Sequence, residues 1–171
     1  ELITDGKVRY IGTCNHSPWQ VVEADWTAKS LGINRFVANQ NQYSLLERAA
    51  EKEQLPVSAK YGVGFVPFFP LANGLLTGKY KRGQDAPAGT RLAARPGALS
   101  ESAFDRIDPY EGYARDRGVS LLDVAIGGLA AQPAVASVIA GATKPEQIHA
   151  NAKAGDWVPS AADLAALGEI Q

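Results

Sequence analysis

The chain has 171 residues, 46% of them hydrophobic and 20% charged, which is enough for one globular domain with a hydrophobic core. Its formal net charge of −1 provides no basic surface for nucleic acid or an anionic membrane. No apolar run approaches the roughly 20 residues of a bilayer-spanning helix, and residues 1–6 lack the features of a signal peptide. A single cysteine, Cys14, excludes an internal disulfide and favours a reducing, cytoplasmic setting.

The chain contains no methionine and opens at Glu1. Translation needs an initiator, so we expect residues 1–171 to be a single partial domain of a longer polypeptide. The alternative is that an initiator was removed and that internal methionine is absent by chance.

Segments rich in β-branched and aromatic residues predict four strands, at residues 8–14, 35–40, 62–69 and 135–140. The first three start near residues 8, 35 and 64, which are 27 and 29 residues apart. Each strand is followed by a polar loop and by helical sequence, which is the pattern of a parallel βα unit.

Capping residues predict where the helices begin. Boxes of the type Ser-x-x-Gln or Ser-x-x-Asp start at Ser17, Ser120 and Ser160, and Thr143 with Glu146 predicts another cap. Helical sequence also fills residues 45–60, with its main helix starting at Pro56, and residues 101–117. The charged side chains at 47, 48, 51, 52 and 53 are predicted to form a solvated helix face.

The regular alternation predicts an α/β fold, either a (β/α) barrel or a doubly wound sheet. Neither Gly-x-Gly-x-x-Gly nor a Walker motif is present, which weakens the second alternative. Four parallel βα units are half of an eight-stranded TIM barrel. A half barrel leaves two open edges and an uncovered interior, so we expect it to pair with another half or with a second copy.

Strand exits meet at one face of a barrel, and here they carry amides and aromatic rings at 14–16, 40–42, 68–70 and 141–144. This set suits a planar, polar heterocycle, but it supplies no acid–base pair, metal cluster or activated nucleophile. Lys144 at a helix N-terminus is a candidate anion site. Arg91 is a candidate cation for a diphosphate.

Each of these residues also has a structural interpretation. Asn15 could form a turn, Gln40 could be a buried amide, and Phe68 and Phe69 could belong to the core. Lys144 and Arg91 could be ordinary surface cations. Cys14 is expected to be buried and therefore inert.

Four separated segments in the same order and spacing resemble the aldo-keto reductases. They are GKVRYIG with NHS in residues 6–17, QNQYSLL in 40–46, PLANGLLTGKY in 70–80, and GATKPEQ with a later asparagine in 141–151. The resemblance covers essentially the whole chain. It implies an (α/β)8 barrel that binds NADPH, with NADH as the alternative cofactor, and reduces a small carbonyl substrate by hydride transfer.

The resemblance also implies roles for individual residues. Asn15 would hold the nicotinamide carboxamide together with Cys14, which stands where the family has serine. Gln40 matches a glutamine that ends the sixth strand, and Phe68 matches an aromatic ring that stacks on the nicotinamide. The residues implied around the diphosphate are Phe69, Pro70, Leu71, Ala72, Gly74 and Arg91. Those implied around the adenosine 2′-phosphate and adenine are Gly141, Thr143, Lys144, Gln147 and Asn151.

The family's catalytic Asp, Tyr, Lys and His lie on earlier strands than those that this chain resembles. The resemblance therefore implies strands five to eight, the cofactor-binding C-terminal half, with no catalytic residue in the chain. A second hypothesis is a nicotinamide-binding regulatory or interaction protein with little turnover. A third is a half barrel that dimerises.

Overall fold

The structure, a computed structural model, describes residues 1–95 and 97–170. Three parallel strands form a sheet in chain order: β1 (Gly12–Cys14), β2 (Ala38–Gln42) and β3 (Gly64–Phe68). The predicted α/β class with a parallel sheet is confirmed. No helix in these two ranges is long and apolar enough to cross a membrane.

The strand bounds differ from the sequence prediction. Residues 8–11 are not part of β1, because the paired register begins only at Gly12 and Ala38. Just before it, the Ile11 carbonyl accepts a hydrogen bond of 2.9 Å from the Val37 N–H group. Tyr10 is accordingly 73% exposed. β2 lies further along the chain than the predicted 35–40, so residues 41 and 42 belong to the strand and not to its exit loop.

The predicted fourth strand at 135–140 is wrong. Within the described residues, only Val135 pairs with Phe65, in an isolated parallel bridge. The ladder is interrupted at Pro67, which has no N–H group to donate. Its carbonyl still accepts a hydrogen bond of 3.0 Å from the Ile139 N–H group. The segment therefore follows β3 without forming a regular strand, and three βα units replace the predicted four.

Six α-helices are present in the part of the chain that the structure describes: α1 (Pro18–Leu31), α2 (Gln54–Tyr61), α3 (Glu101–Asp116), α4 (Leu121–Ala130), α5 (Pro145–Ala154) and α6 (Ala161–Glu169). Short 3-10 segments lie at Ala49–Glu51 and Ala72–Thr77. The main helix predicted at Pro56 begins two residues earlier, at Gln54.

The serine caps are confirmed at the start of α1, α4 and α6. The predicted threonine cap of α5 is wrong, because Lys144 occupies the N-cap position. At α6, hydrogen bonds from Ser160 and from the Tyr113 hydroxyl lower the pKa of Asp163 to about 2. Asp163 is thus a charged acceptor at neutral pH, which suits a helix N-terminus.

The core has two parts. The smaller one lies under the sheet and is made of Tyr43, Ala50, Leu55, Phe65 and Leu129. The larger one joins α3, α4 and α6 to the long segment 70–100, which contributes buried Leu76, Tyr80 and Leu92. Lys81 and Arg82 also pair with carboxylates of α3. The long excursion after β3 is therefore anchored to the helices along its length.

Candidate functional site

The register of the sheet brings three predicted site residues to one face. Cys14 pairs with Gln40, and Gln42 pairs with Phe68. Because side chains alternate along a strand and paired residues share a face, Cys14, Gln40 and Phe68 lie on the same side of three adjacent strands. This side is at least partly accessible at all three positions. An amide, a thiol and an aromatic ring thus share one side of the sheet, and their contact with a cofactor stays a prediction.

The opposite face of the sheet carries a network of amides. Thr13 donates to Asn39 at 2.9 Å, and Asn39 donates to Gln54 at 3.0 Å. Gln54 and Asn41 then both donate to the carbonyl of His16, at 2.7 and 2.9 Å. Asn41, predicted among the exit amides, therefore faces the helices. Its contribution is to fix the loop between β1 and α1 against β2.

That loop holds Asn15 at the end of β1. Asn15 has a left-handed backbone, with φ of 57°, which asparagine tolerates better than most residues. Its N–H group donates to the carbonyl of Gln40 at 2.9 Å. Cys14, just before it, is exposed, so the prediction of a buried thiol is wrong. The reason is that Cys14 lies on the accessible face and not on the helix-covered one.

The exit of β3 is a strained turn with two aromatic rings. Phe68 and Phe69 meet edge to face, with ring centroids 5.3 Å apart. Phe69 has a φ of 54° and is 44% exposed. The guanidinium of Arg91 lies 5.6 Å from the centroid of the Phe69 ring, within cation–π distance. Arg91 therefore contacts the exit of β3, and its predicted contact with a diphosphate stays a prediction.

The loop that follows uses part of its backbone internally. Ala72 N–H donates to Phe69 at 3.0 Å, and Gly74 N–H donates to Leu71 at 2.8 Å. Pro70 and Leu71 are buried beneath it. Gly74 has a φ of 97°, which only glycine adopts easily. The contact of this loop with a diphosphate stays a prediction.

The last predicted group lies before and along α5. Gly141, Thr143, Lys144 and Gln147 are exposed, and Asn151 is half-buried. The Gln147 amide oxygen accepts hydrogen bonds from the Thr143 N–H group at 2.8 Å and hydroxyl at 3.2 Å. Only the amide nitrogen of Gln147 is left to face a ligand. Recognition of an adenosine 2′-phosphate by this group stays a prediction.

Sequence reasoning missed a charged cluster beside β2. Arg48 and Glu51 were predicted to be solvated, but both are partly buried and form a two-pronged ion pair. The Tyr43 hydroxyl donates to Glu51 at 2.8 Å. Burial, reinforced by this bond, raises the pKa of Tyr43 far above its usual value. The three-residue spacing from Arg48 to Glu51 was the available signal.

Two buried ionisable side chains, Tyr43 and Asp25, have partners within the protein. No group of three or more metal-ligating side chains occurs in residues 1–95 and 97–170. Tyr43 remains protonated because its pKa is raised. Asp25 is buried, but it pairs with Lys29 at 2.6 Å and Arg35 at 3.3 Å, away from the sheet face. The sheet face with Cys14, Gln40 and Phe68 offers an amide and an aromatic ring, which can bind and orient a planar ligand.

Comparison with known proteins identifies the group to which this arrangement belongs. The Aldo/keto reductase family matches residues 1–171. A probable voltage-gated potassium channel subunit beta from Oryza sativa subsp. japonica is 37% identical over 165 residues, covering 92% of this chain and 50% of the relative. An uncharacterized oxidoreductase from Bacillus subtilis is 34% identical over 152 residues, covering 89% and 45%.

A putative aryl-alcohol dehydrogenase from Schizosaccharomyces pombe is 43% identical over 77 residues, covering 45% of this chain and 24% of the relative. The chain spans about half the length, or less, of these curated relatives. The family match covers the whole chain, including the sheet face and the loops around it. The chain belongs to the aldo/keto reductase family.

Proposed function

We propose that this chain forms the cofactor-binding part of an NADPH-dependent oxidoreductase that acts on a small aldehyde or ketone. The observation that carries the proposal is the shared face of Cys14, Gln40 and Phe68 on adjacent strands. An amide can hydrogen-bond a carboxamide, and a ring can stack on a planar heterocycle. NADH, which lacks the 2′-phosphate, is the alternative cofactor.

The residues present fit the nicotinamide end of such a cofactor. Asn15 and Gln40 are already joined through their backbones, and Phe68 lies on the next strand. The cofactor would supply hydride chemistry, and this chain would bind and orient it. Arg91 and Lys144 are exposed cations that would meet phosphate groups. The proton donor for the carbonyl oxygen would come from outside this face.

We further propose that the chain forms the C-terminal part of a (β/α)8 barrel, to which β1, β2 and β3 contribute three strands. β1 has a free edge, and α1 beside it exposes Trp19 to 64% and Trp26 to 61%. These positions are seven apart and therefore lie on one side of the helix. An open edge next to an apolar helix face favours covering by the N-terminal half of a barrel, which would carry the Asp, Tyr, Lys and His of catalysis.

Sedimentation of residues 1–171 tests this assembly. We expect the chain alone to self-associate or to aggregate, because its free edge and exposed tryptophans have no cover. Trp19→Lys and Trp26→Lys together should reduce the association. A control with Val158→Lys, at an apolar residue that is 83% exposed and lies between α5 and α6, should not reduce it. A stable, soluble monomer would contradict the proposal.

A second candidate is a nicotinamide-binding regulatory subunit with little turnover. It is favoured by the similarity to the rice protein described as a probable potassium channel subunit beta. Both candidates need the same sheet face to bind a cofactor. They differ in turnover, so binding and reduction of small aldehydes must be measured on the same preparation.

Fluorescence titration with NADPH tests the binding site. The full-length protein should bind NADPH. Gln40→Ala should raise the Kd about 3- to 10-fold through loss of one hydrogen bond. Phe68→Ala should raise it by a similar factor through loss of one stacking contact. Gln132→Ala is the matched control, because it deletes a side-chain amide that lies after the end of α4. It should leave the Kd unchanged. Absence of NADPH binding, or an unchanged Kd in both site variants, would contradict the proposal. Binding without aldehyde turnover would favour the regulatory candidate.

A further inference from the structure

A cluster of four side chains joins the exit of β2 to the C-terminal end of α6. The guanidinium of Arg48 donates to three carbonyls there: Leu167 at 2.9 Å, Ile170 at 3.0 Å and Gly168 at 3.3 Å. Its other nitrogens bind both carboxylate oxygens of Glu51 at 2.8 Å. All three guanidinium nitrogens of Arg48 thus donate hydrogen bonds, which the single ammonium group of a lysine could not reproduce.

These carbonyls need such a partner. The last four carbonyl groups of an α-helix accept no hydrogen bond from within the helix, and they carry the negative end of its dipole. A guanidinium at this position donates hydrogen bonds to these carbonyls and places a positive charge at the negative end of the dipole. Arg48 is therefore the cap of α6, although it lies 119 residues before Leu167.

The same cluster reaches the ends of the strands. Tyr43, 1% exposed, donates its hydroxyl to Glu51 at 2.8 Å, and its N–H group donates to the carbonyl of Phe68 at 3.3 Å. Its ring packs edge to face on Phe65 in β3, with centroids 6.1 Å apart. Tyr43 thus connects the charged cluster to the residue that is proposed to stack on the nicotinamide.

A second side chain, Tyr110, joins the same two segments by hydrogen bonds. The Tyr110 hydroxyl of α3 donates to the carbonyl of Leu45 at 2.9 Å, and it also lies 3.4 Å from the carbonyl of Ile170. The segment after β2 and the segment after α6 are thus held by the same two side chains, Arg48 and Tyr110. Movement of either segment would break bonds to the other.

We propose that Arg48 is a positioning residue, which through Glu51 and Tyr43 couples the docking of α6 to the exit of β2 and the placement of Phe68. The inference deepens the proposed function and rests on it for the cofactor readout. The coupling itself can be measured without cofactor. Through this coupling, α6 helps to shape the proposed cofactor cleft.

Hydrogen exchange on Arg48→Gln tests the coupling. We expect exchange to rise about tenfold or more at the amides of α6, because their carbonyl partners lose bonds to a charged group. We expect a similar rise at the Tyr43 amide, because Glu51 is no longer held by Arg48 and so no longer fixes the Tyr43 hydroxyl. Asp163→Asn is the matched control, since it weakens the opposite end of α6. It should raise exchange in α6 and leave the Tyr43 amide unchanged. Equal patterns in the two variants, or a change confined to α6, would overturn the proposal.

The NADPH Kd supplies the second readout. Arg48→Gln should raise it about 3- to 10-fold, as expected for loss of one well-placed contact, whereas Asp163→Asn should not. Glu51→Gln, which removes the charge but keeps the shape, should act in the same direction as Arg48→Gln. An Arg48→Gln protein that binds NADPH as tightly as the parent would overturn the positioning role. If the parent itself does not bind NADPH, the proposed function fails, and the exchange pattern still decides the coupling.

Discussion

Replacing Phe65 by alanine is expected to lower the free energy of unfolding by about 3–5 kcal/mol. Phe65 is 0% exposed and lies in the middle of β3. It pairs with Asn39 on one side and with Val135 on the other. Its ring packs in the smaller core with Tyr43, Leu55 and Leu129. Removing the ring leaves a cavity there, and the surrounding side chains relax only partly to fill it.

Chemical denaturation of the encoded polypeptide measures this loss. Phe69→Ala is the matched control, because the same ring is removed from a position that is 44% exposed, and its cost should stay below about 1 kcal/mol. Similar losses in the two variants would contradict the placement of Phe65 in the core. A large loss only for Phe65→Ala would support the described packing of β3.

Local signals in the sequence predicted the helix starts well. Ser17 and Ser160 each begin a helix as predicted, because a cap depends on residues within one turn. Thr143 failed for a comparable local reason: the Gln147 side chain, four residues on, binds it outside the helix. Short-range chemistry thus decides these bounds.

Strand limits and faces depend on partners that are distant in sequence. Residues 8–10 look like part of a strand, but the register of β1 with β2 begins only after them. The segment after Val135 has the composition of a strand, and Pro67 on the neighbouring strand interrupts its ladder. The exposure of Cys14 follows from the register with β2, which the sequence does not reveal.

The positions of three candidate site residues could be predicted from the sequence, whereas the contacts that support them could not. Cys14, Gln40 and Phe68 were named from their positions at strand ends, and the register places them on one face. Arg48 was misassigned because its acceptors are carbonyls at the end of α6, more than a hundred residues away. Backbone carbonyls carry no side-chain signature, so pattern reasoning has no means to find such a contact.

Cys14 offers a direct probe of the proposed cleft. It is exposed, it is the only cysteine in these 171 residues, and it lies beside Asn15 at the place proposed for the carboxamide. A nicotinamide bound there would cover the thiol. We therefore expect saturating NADPH to slow alkylation of Cys14 about tenfold or more, since a site occupied more than nine-tenths of the time leaves less than a tenth of the thiol reactive.

A control ligand separates the two ends of the cofactor. Adenosine 2′,5′-bisphosphate carries the adenine and the 2′-phosphate but has no nicotinamide, so it should leave the alkylation rate of Cys14 nearly unchanged. Equal protection by both ligands would indicate a general tightening of the protein and not a covered thiol.

The alkylation rate of Cys14 decides whether the shared sheet face holds the nicotinamide. It is measured in the full-length protein, with and without NADPH, by mass spectrometry of the Cys14 peptide. The shared face of β1, β2 and β3 predicts strong protection by NADPH, with that protection reduced in Phe68→Ala at the same NADPH concentration. An alkylation rate of Cys14 that does not change while NADPH is bound would contradict the proposed site.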